Sequence, residues 1–161
     1  MAHTSVYRIT RNIEVSISDW LEEKLAENSW DCNVSFDFSG AYEVKLPVLI
    51  INADDNPDKK LEVGSNQLCN FFILEFRVFA TSEAQRKDLR DFLRDNLMSG
   101  IPYYAYVIDN DTGEVQSKTL SGRINIGEII SNRKELRNTD ATDVRDRYRH
   151  LLSVKARISL S

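Results

Sequence analysis

The chain has 161 residues, 42% of them hydrophobic and 29% charged, a balance typical of one soluble globular domain and far from that of disordered chains. Its net charge of -4, from 21 Lys and Arg against 25 Asp and Glu, removes a global electrostatic drive toward nucleic acid or anionic membrane. Two cysteines and two histidines exclude a disulfide scaffold and the usual clustered zinc ligand sets, and no run approaches the roughly 18 consecutive apolar residues of a membrane span.

The opening Met-Ala-His-Thr-Ser-Val-Tyr-Arg lacks the apolar region of a secretory signal, so the protein is expected to stay in the cell that makes it. Ile9, Ile13, Ile17, Trp20, Leu21 and Leu25 recur at helical spacing and predict an amphipathic helix over about residues 10–28, with Asp19, Glu22, Glu23 and Glu27 mainly on its other side. After Trp30 the period becomes two. Cys32, Val34, Phe36 and Phe38 alternate with polar residues as in a half-buried strand, which Gly40 ends. Residues 44–51 are apolar and β-branched, and Pro47 among them predicts an edge position or a strand that begins just after it. Turn formers and charges crowd into residues 53–60, which read as a mobile solvated loop with Asp54, Asp55 and Asp58 as candidate partner contacts.

Residues 68–80 are apolar at the centre of both alternating sets and predict a central strand. Ser82 followed by Gln85 is a capping box, opening a helix that carries Leu89, Phe92, Leu93 and Leu97 and stops at Gly100. A Tyr-rich strand over 101–108, a turn over 109–113 and a partner strand over 114–120 make a hairpin. Residues 131–146 are polar and weakly patterned. The last strand alternates Leu152, Val154, Ala156, Ile158 and Leu160 with Ser153, Lys155, Arg157 and Ser159. Two helices, at least five strands and no regular βαβ alternation predict one α+β domain over residues 1–161, a mostly antiparallel sheet with both main helices packed on one face.

Catalytic and cofactor motifs are missing from the sequence. Six scattered glycines supply neither a P-loop nor a dinucleotide fingerprint. Asp109, Asp111 and Gly113 superficially match a calcium loop, but the Gly position and the absence of a Glu in the twelfth place favour an ordinary turn. His3 falls in an untethered terminus, and His150, in Arg147-Tyr-Arg-His150, reads as a solvated or packing residue, so no nucleophilic triad is expected. Cys32 and Cys69 read as small core residues, the Asp54–Asp55 pair as solvated charge, and the glycosylation matches at Asn33 and Asn110 as chance. No enzyme activity, metal or cofactor is expected. The helix after Ser82 carries a basic ridge of Arg86, Arg90 and Arg94 and an acidic ridge of Asp88, Asp91 and Asp95. These flanks read either as an ordinary solvated helix or as a subunit interface in which the basic flank of one copy meets the acidic flank of the next. On the second reading, reversing the three arginines impairs assembly and spares folding.

In order and pattern these segments resemble the tail terminator proteins of long-tailed bacteriophages. The resemblance covers most of the chain: Ser18-Asp-Trp-Leu21 in the first helix, Lys45-Leu-Pro-Val48 leading into an apolar strand, Lys60-Leu-Glu-Val-Gly-Ser65, Phe76-Arg-Val-Phe-Ala-Thr-Ser-Glu83 passing into the charged helix, Gly100-Ile-Pro-Tyr-Tyr104, and Arg145-Asp-Arg-Tyr-Arg149 before the last strand. It implies a non-enzymatic virion protein that caps the growing tail tube as a homo-hexameric ring and offers the attachment surface for the DNA-filled head. Its partners would be other copies of itself, the tail tube protein and a head-completion or neck protein. DNA would pass through the ring without specific binding, no membrane would be involved, and the protein would sit at the head-proximal end of the tail after assembly in the host cytoplasm. The alternatives are a head-completion or other neck protein, a small-ligand or hydrolytic enzyme using Asp and Tyr residues of the sheet around Tyr103, Tyr104 and Tyr106, or an adaptor domain.

Overall fold

The computed structural model of the chain describes residues 2–4, 9–36, 42–55, 71–135 and 147–160. Helix α1, Ile9–Glu27, buries Ile13, Ile17, Trp20, Leu21 and Leu25, the stripe that the helical spacing selects. Helix α2, Glu83–Leu97, begins at Ser82, whose hydroxyl accepts the Gln85 N–H. The capping box is displaced by one residue on its return arm, because the Gln85 side chain accepts the N–H of Thr81 at 2.8 Å, one residue before the cap. Gly100, at φ +82°, takes the left-handed conformation that ends this helix region.

The strands are β1 Ala2–Thr4, β2 Asn33–Ser35, β3 Val48–Asp55, β4 Phe71–Phe79, β5 Ile101–Asp109, β6 Val115–Lys134 and β7 Arg149–Leu160. They form one sheet in the order β1-β5-β6-β7-β4-β3-β2, with every neighbouring pair antiparallel except β2 and β3. Both helices join the same core. Ile17 and Leu21 of α1 and Leu89, Leu93 and Leu97 of α2 belong to one cluster with Leu49, Leu74, Phe76, Leu152, Val154 and Ile124 from the sheet. The described residues therefore form an α+β fold with helices α1 and α2 on one face of a largely antiparallel sheet.

Several boundaries differ from the sequence reading. Strand β3 does start just after Pro47, but it runs on through Asp54 and Asp55, which pair with Ile73 and Phe72; these two residues are strand and not loop. Asp58, Phe38, Gly40, Leu68 and Cys69 lie outside the described residues. Phe36 is exposed instead of buried because β2 ends at Ser35. His3 lies in β1, paired opposite Ile108, and so belongs to a tethered segment. The largest departure is β6, which continues from the expected hairpin strand to Lys134. Two register shifts against β5 and two against β7, with Gly127 at one of them, change the phase of its alternation and hide the strand from a period-two search.

The outermost strands, β1 and β2, have 3 residues each, so they leave the edges of β5 and β3 only partly paired. Helix α1 covers the remainder with side chains. Ser16 Oγ accepts the Tyr104 N–H at 3.0 Å, Asn12 Oδ1 accepts the Tyr106 N–H at 3.4 Å, and Glu14 Oε1 accepts the Ala53 N–H at 3.1 Å. Asn12 Nδ2 also donates to the Tyr103 hydroxyl. Asn12 and Ser16 are fully buried, where a polar group without a partner is costly. Replacing Asn12 by Ala is expected to cost about 1 to 3 kcal/mol, since the Tyr106 N–H and the Tyr103 hydroxyl lose their partner. Chemical denaturation measures the loss, and faster amide exchange at Tyr106 assigns it to the strand edge.

Candidate functional site

The helix singled out by its charge is anchored differently from the sequence expectation. Arg86 is 5% exposed and shares the buried stripe with Leu89, Leu93 and Leu97. Its guanidinium grips Glu83 through Nη2 at 2.6 Å and Nε at 3.1 Å, and its Nη1 lies 2.5 Å from His150 Nδ1. A guanidinium only donates, so Nδ1 is the acceptor and the proton of the neutral ring sits on Nε2, donated to Asn132 Oδ1 at 2.6 Å. Lys134 adds a second cation to Glu83 at 3.2 Å. The cluster thus ties α2 to the ends of β6 and β7. Burial first, then the Arg86 and Arg90 charges, push the His150 pKa down to about 4. The Arg86 hydrogen bond, helped by Lys134, pulls the Glu83 pKa down to about 2.

Arg86 is consequently no part of an outward basic ridge. Arg90 pairs with Asp91 at 2.9 Å and Arg94 with Asp95 at 3.5 Å, so the two flanks neutralise each other along one helix; Asp88 is exposed. The expectation that all three arginines can be reversed without harm to folding is corrected at Arg86. A Glu there would place a buried carboxylate beside the partly exposed Glu83.

The tyrosines of β5 serve the core and its border. Tyr103 and Tyr106 are buried, and the Tyr106 hydroxyl donates to Asp19 Oδ2 at 2.8 Å; burial first, then this bond to a carboxylate, raises its pKa. Lys118 Nζ sits 4.5 Å from the Tyr104 ring centre and 3.8 Å from Asp19. The Asp109 carboxylate accepts the N–H groups of Asp111 and Thr112, and Gly113 stands at φ +74°, which is the expected turn. Burial above all, with the Asp31 charge, pushes the Cys32 thiol up to about 12, a poor starting point for a nucleophile.

The face of the sheet turned away from the helices carries a polar layer that sequence reasoning left unassigned. Arg149, 1% exposed, lies with its guanidinium 4.7 Å from the centre of the Phe79 ring and 3.3 Å from Glu135 Oε1. Arg77 reaches Glu75 at 2.8 Å and Glu135 at 3.4 Å, so the chain Glu75–Arg77–Glu135–Arg149 crosses from β4 to the segment after β6. Further along the same face, Arg123 and Asn125 flank the buried Ile124, and Lys155 and Arg157 flank the buried Ala156. Here the Gly127 bulge opens a concavity of about 350 Å³ lined by Asn125, Glu128, Lys155 and Arg157. The alternation of Ser153, Lys155, Arg157 and Ser159 with apolar residues was the signal for half of this surface.

One edge remains. Strand β7 pairs with β6 only from Gly122 onward, so residues 115–121 are paired with β5 on one side and, among the described residues, with no strand on the other. Val115 and Leu120 are large exposed apolar side chains on this stretch. No group of three or more His, Cys, Asp and Glu placed to hold a metal occurs among the described residues, and no described helix is long and apolar enough to cross a membrane. No family model and no curated protein matches the sequence.

The His150 cluster sets a pH dependence. The folded pKa lies below the ordinary 6.5, so between about pH 6.5 and pH 4 the unfolded chain binds a proton that the folded one refuses. Stability contributed by the neutral ring is complete above pH 6.5 and is lost as the pH falls toward 4, with an upper limit on the order of 3 kcal/mol. Urea midpoints across this range are expected to fall, and less steeply in His150→Gln. By the same geometry Arg86→Glu is expected to lower the melting temperature sharply, while reversing Arg90 and Arg94 together changes stability by about 0.5 kcal/mol or less per site. Thermal melting separates the two.

Proposed function

We propose that this protein is a structural subunit of a bacteriophage tail that caps the tail tube as a homo-hexameric ring and presents the surface to which the DNA-filled head attaches. The open stretch of β6 supports this reading most directly. An unpaired strand edge is a template for pairing with another chain, and single-chain proteins usually cover or blunt it. This chain covers the edges of β5 and β3 with side chains of α1, yet among the described residues no strand pairs with the outer edge of residues 115–121, where Leu120 and Val115 are exposed. Such an edge suits a subunit whose pairing is completed by neighbours in an assembly. The resemblance of the segments from Ser18 to Arg149 supplies the particular assembly, in which other copies, the tube protein and a neck protein are the partners and DNA passes through without being held.

Imaging of assembled tails with the protein labelled is the test. A ring at the head-proximal tip of the tube is expected, and tails made without the protein are expected to lose length control and head attachment. Label on the head side of the joint, with tail length unaffected, would move the protein to the head-completion class; absence from the particle would end the structural reading. If the open edge takes part in assembly, a combined Leu120→Lys and Val115→Lys variant is expected to fold normally and fail to complete tails.

A further inference from the structure

The backbone groups that an open strand edge offers can be told apart here from the bonds of α1. The N–H groups of Tyr104 and Tyr106 are accepted by Ser16 and Asn12 of α1, so on β5 they point away from β6. In an antiparallel ladder the residue opposite such a position also turns its N–H and C=O away from the shared side. Lys118 and Leu120, opposite Tyr106 and Tyr104, therefore present theirs on the outer side of β6, while Ser117 and Thr119 use theirs on β5. The one charged side chain of residues 115–121, Lys118, is drawn toward β5 and α1, its ammonium 4.5 Å from the Tyr104 ring centre and 3.8 Å from Asp19.

The same alternation reaches β1. Asp109 directs its N–H to the Glu114 carbonyl on the β6 side, so its neighbour Ile108 points to β1, where it stands opposite His3. That leaves the backbone groups of Ala2 and Thr4 on the outer edge of β1, where among the described residues no strand pairs. Two residues spaced by two on one edge thus match two residues spaced by two on the other. Strand β2 offers less: Asn33 turns its N–H inward to Pro47, so of its residues Val34 alone points outward.

We infer that the outer edge of β1 in one copy pairs in parallel with residues 117–120 of β6 in the next, so that the triplet β1-β5-β6 repeats around a closed cylinder. This rests on the ring-forming reading above and names the strands that join its subunits. The parallel sense follows from rotation: β1 and β6 are both antiparallel to β5, hence parallel to each other, and rotation about a ring axis keeps them so from copy to copy. Six copies close about 18 strands, a number at which barrels surround an aqueous channel. A two-fold pairing of two β6 edges fits worse. Lys118 opposite Lys118 sets like charges together, and Lys118 opposite Leu120 drives the second copy into Leu160, which stands opposite Gly122.

Amide exchange of the dilute subunit is expected to be fast at Lys118 and Leu120 and slow at Ser117 and Thr119; the opposite order overturns the assignment of the edge. Cysteine pairs then test the contact. In a Cys32→Ser, Cys69→Ser chain, Thr119→Cys is combined with Ala2→Cys or with Thr4→Cys, one pair for each of the two parallel registers. One of them is expected to give, under mild oxidation, a ladder of linked copies that ends at a closed ring of six, and the single cysteines none. Leu120→Pro and, separately, Thr4→Pro remove an outward donor without breaking a bond to β5, and each is expected to weaken this assembly about tenfold or more at little-changed melting temperature; Leu120→Ala keeps the donor and is expected to assemble better than Leu120→Pro. No linked copies from either pair, in concentrated solution or in isolated tails, overturns the inference, as does a ladder that both Pro variants leave intact. Linkage that stops at a dimer overturns it in favour of a two-fold pair. Rings at the tail tip that never cross-link reject this contact and leave the ring, whereas a cross-linked ring formed by a protein absent from tails rejects the phage reading and leaves the contact.

Discussion

A sheet that ends in two three-residue strands has more edge than its own backbone can pair, and the fold depends on how that deficit is met. Helix α1 meets it at both ends. Asn12 and Ser16 supply oxygen atoms to β5, and Glu14 supplies one to β3. The same helix buries Ile13, Ile17 and Leu21 in the core, so hydrophobic packing places the polar side chains that finish the sheet. For Glu14 this has an electrostatic cost. Burial raises its pKa, while the Ala53 N–H and the Arg11 charge pull the other way and favour the carboxylate that the strand edge uses.

The second helix is held by a different device. Its Leu89, Leu93 and Leu97 pack as any amphipathic helix does, but its first turn is fixed by an arginine that fills a buried position and finds both an acid and an imidazole. Removing water from such a cluster is expensive, and it is tolerable here because nearly every donor has an acceptor: Arg86 serves Glu83 and His150, and His150 passes its own proton to Asn132. The cluster therefore specifies which part of β7 lies under α2 more sharply than leucines do, since sliding the strand by one residue would separate all of these partners.

Much of the architecture was legible because single-period signals carry it. The stripe of α1, the Ser82 cap, the turn at 109–113 and the alternation of β7 each follow one local rule, and each is in place. What was illegible depends on two elements at once. Arg86 falls at the spacing of Leu89, Leu93 and Leu97, yet a charged residue reads as surface until His150, distant by 64 positions, is beside it. Asn12 and Ser16 interrupt an apolar stripe for a reason that exists only on β5. The second half of β6 escaped because bulges reset its phase, and the basic layer of β6 and β7 escaped with it, since half of its members stand on that unread strand. The loop reading failed at Asp54 and Asp55 because pairing with β4 outweighs the turn preference of their composition.

Strand β6 has 20 residues, which at about 3.3 Å each is roughly 65 Å of extended chain, against a width of about 40 Å for a domain of this size. It must therefore curve or overhang, and its bulges provide the bends. At one end it pairs, among the described residues, with β5 alone beside the hairpin turn; at the other it supplies Asn132 and Lys134 to the cluster under α2. Backbone hydrogen bonds make a strand stiff along its length and compliant only where register is broken. A load applied at the hairpin is thus carried along the backbone of β6 to Asn132 and through its hydrogen bond to the imidazole of His150, and the register breaks, one of them at Gly127, are the joints at which that path can bend.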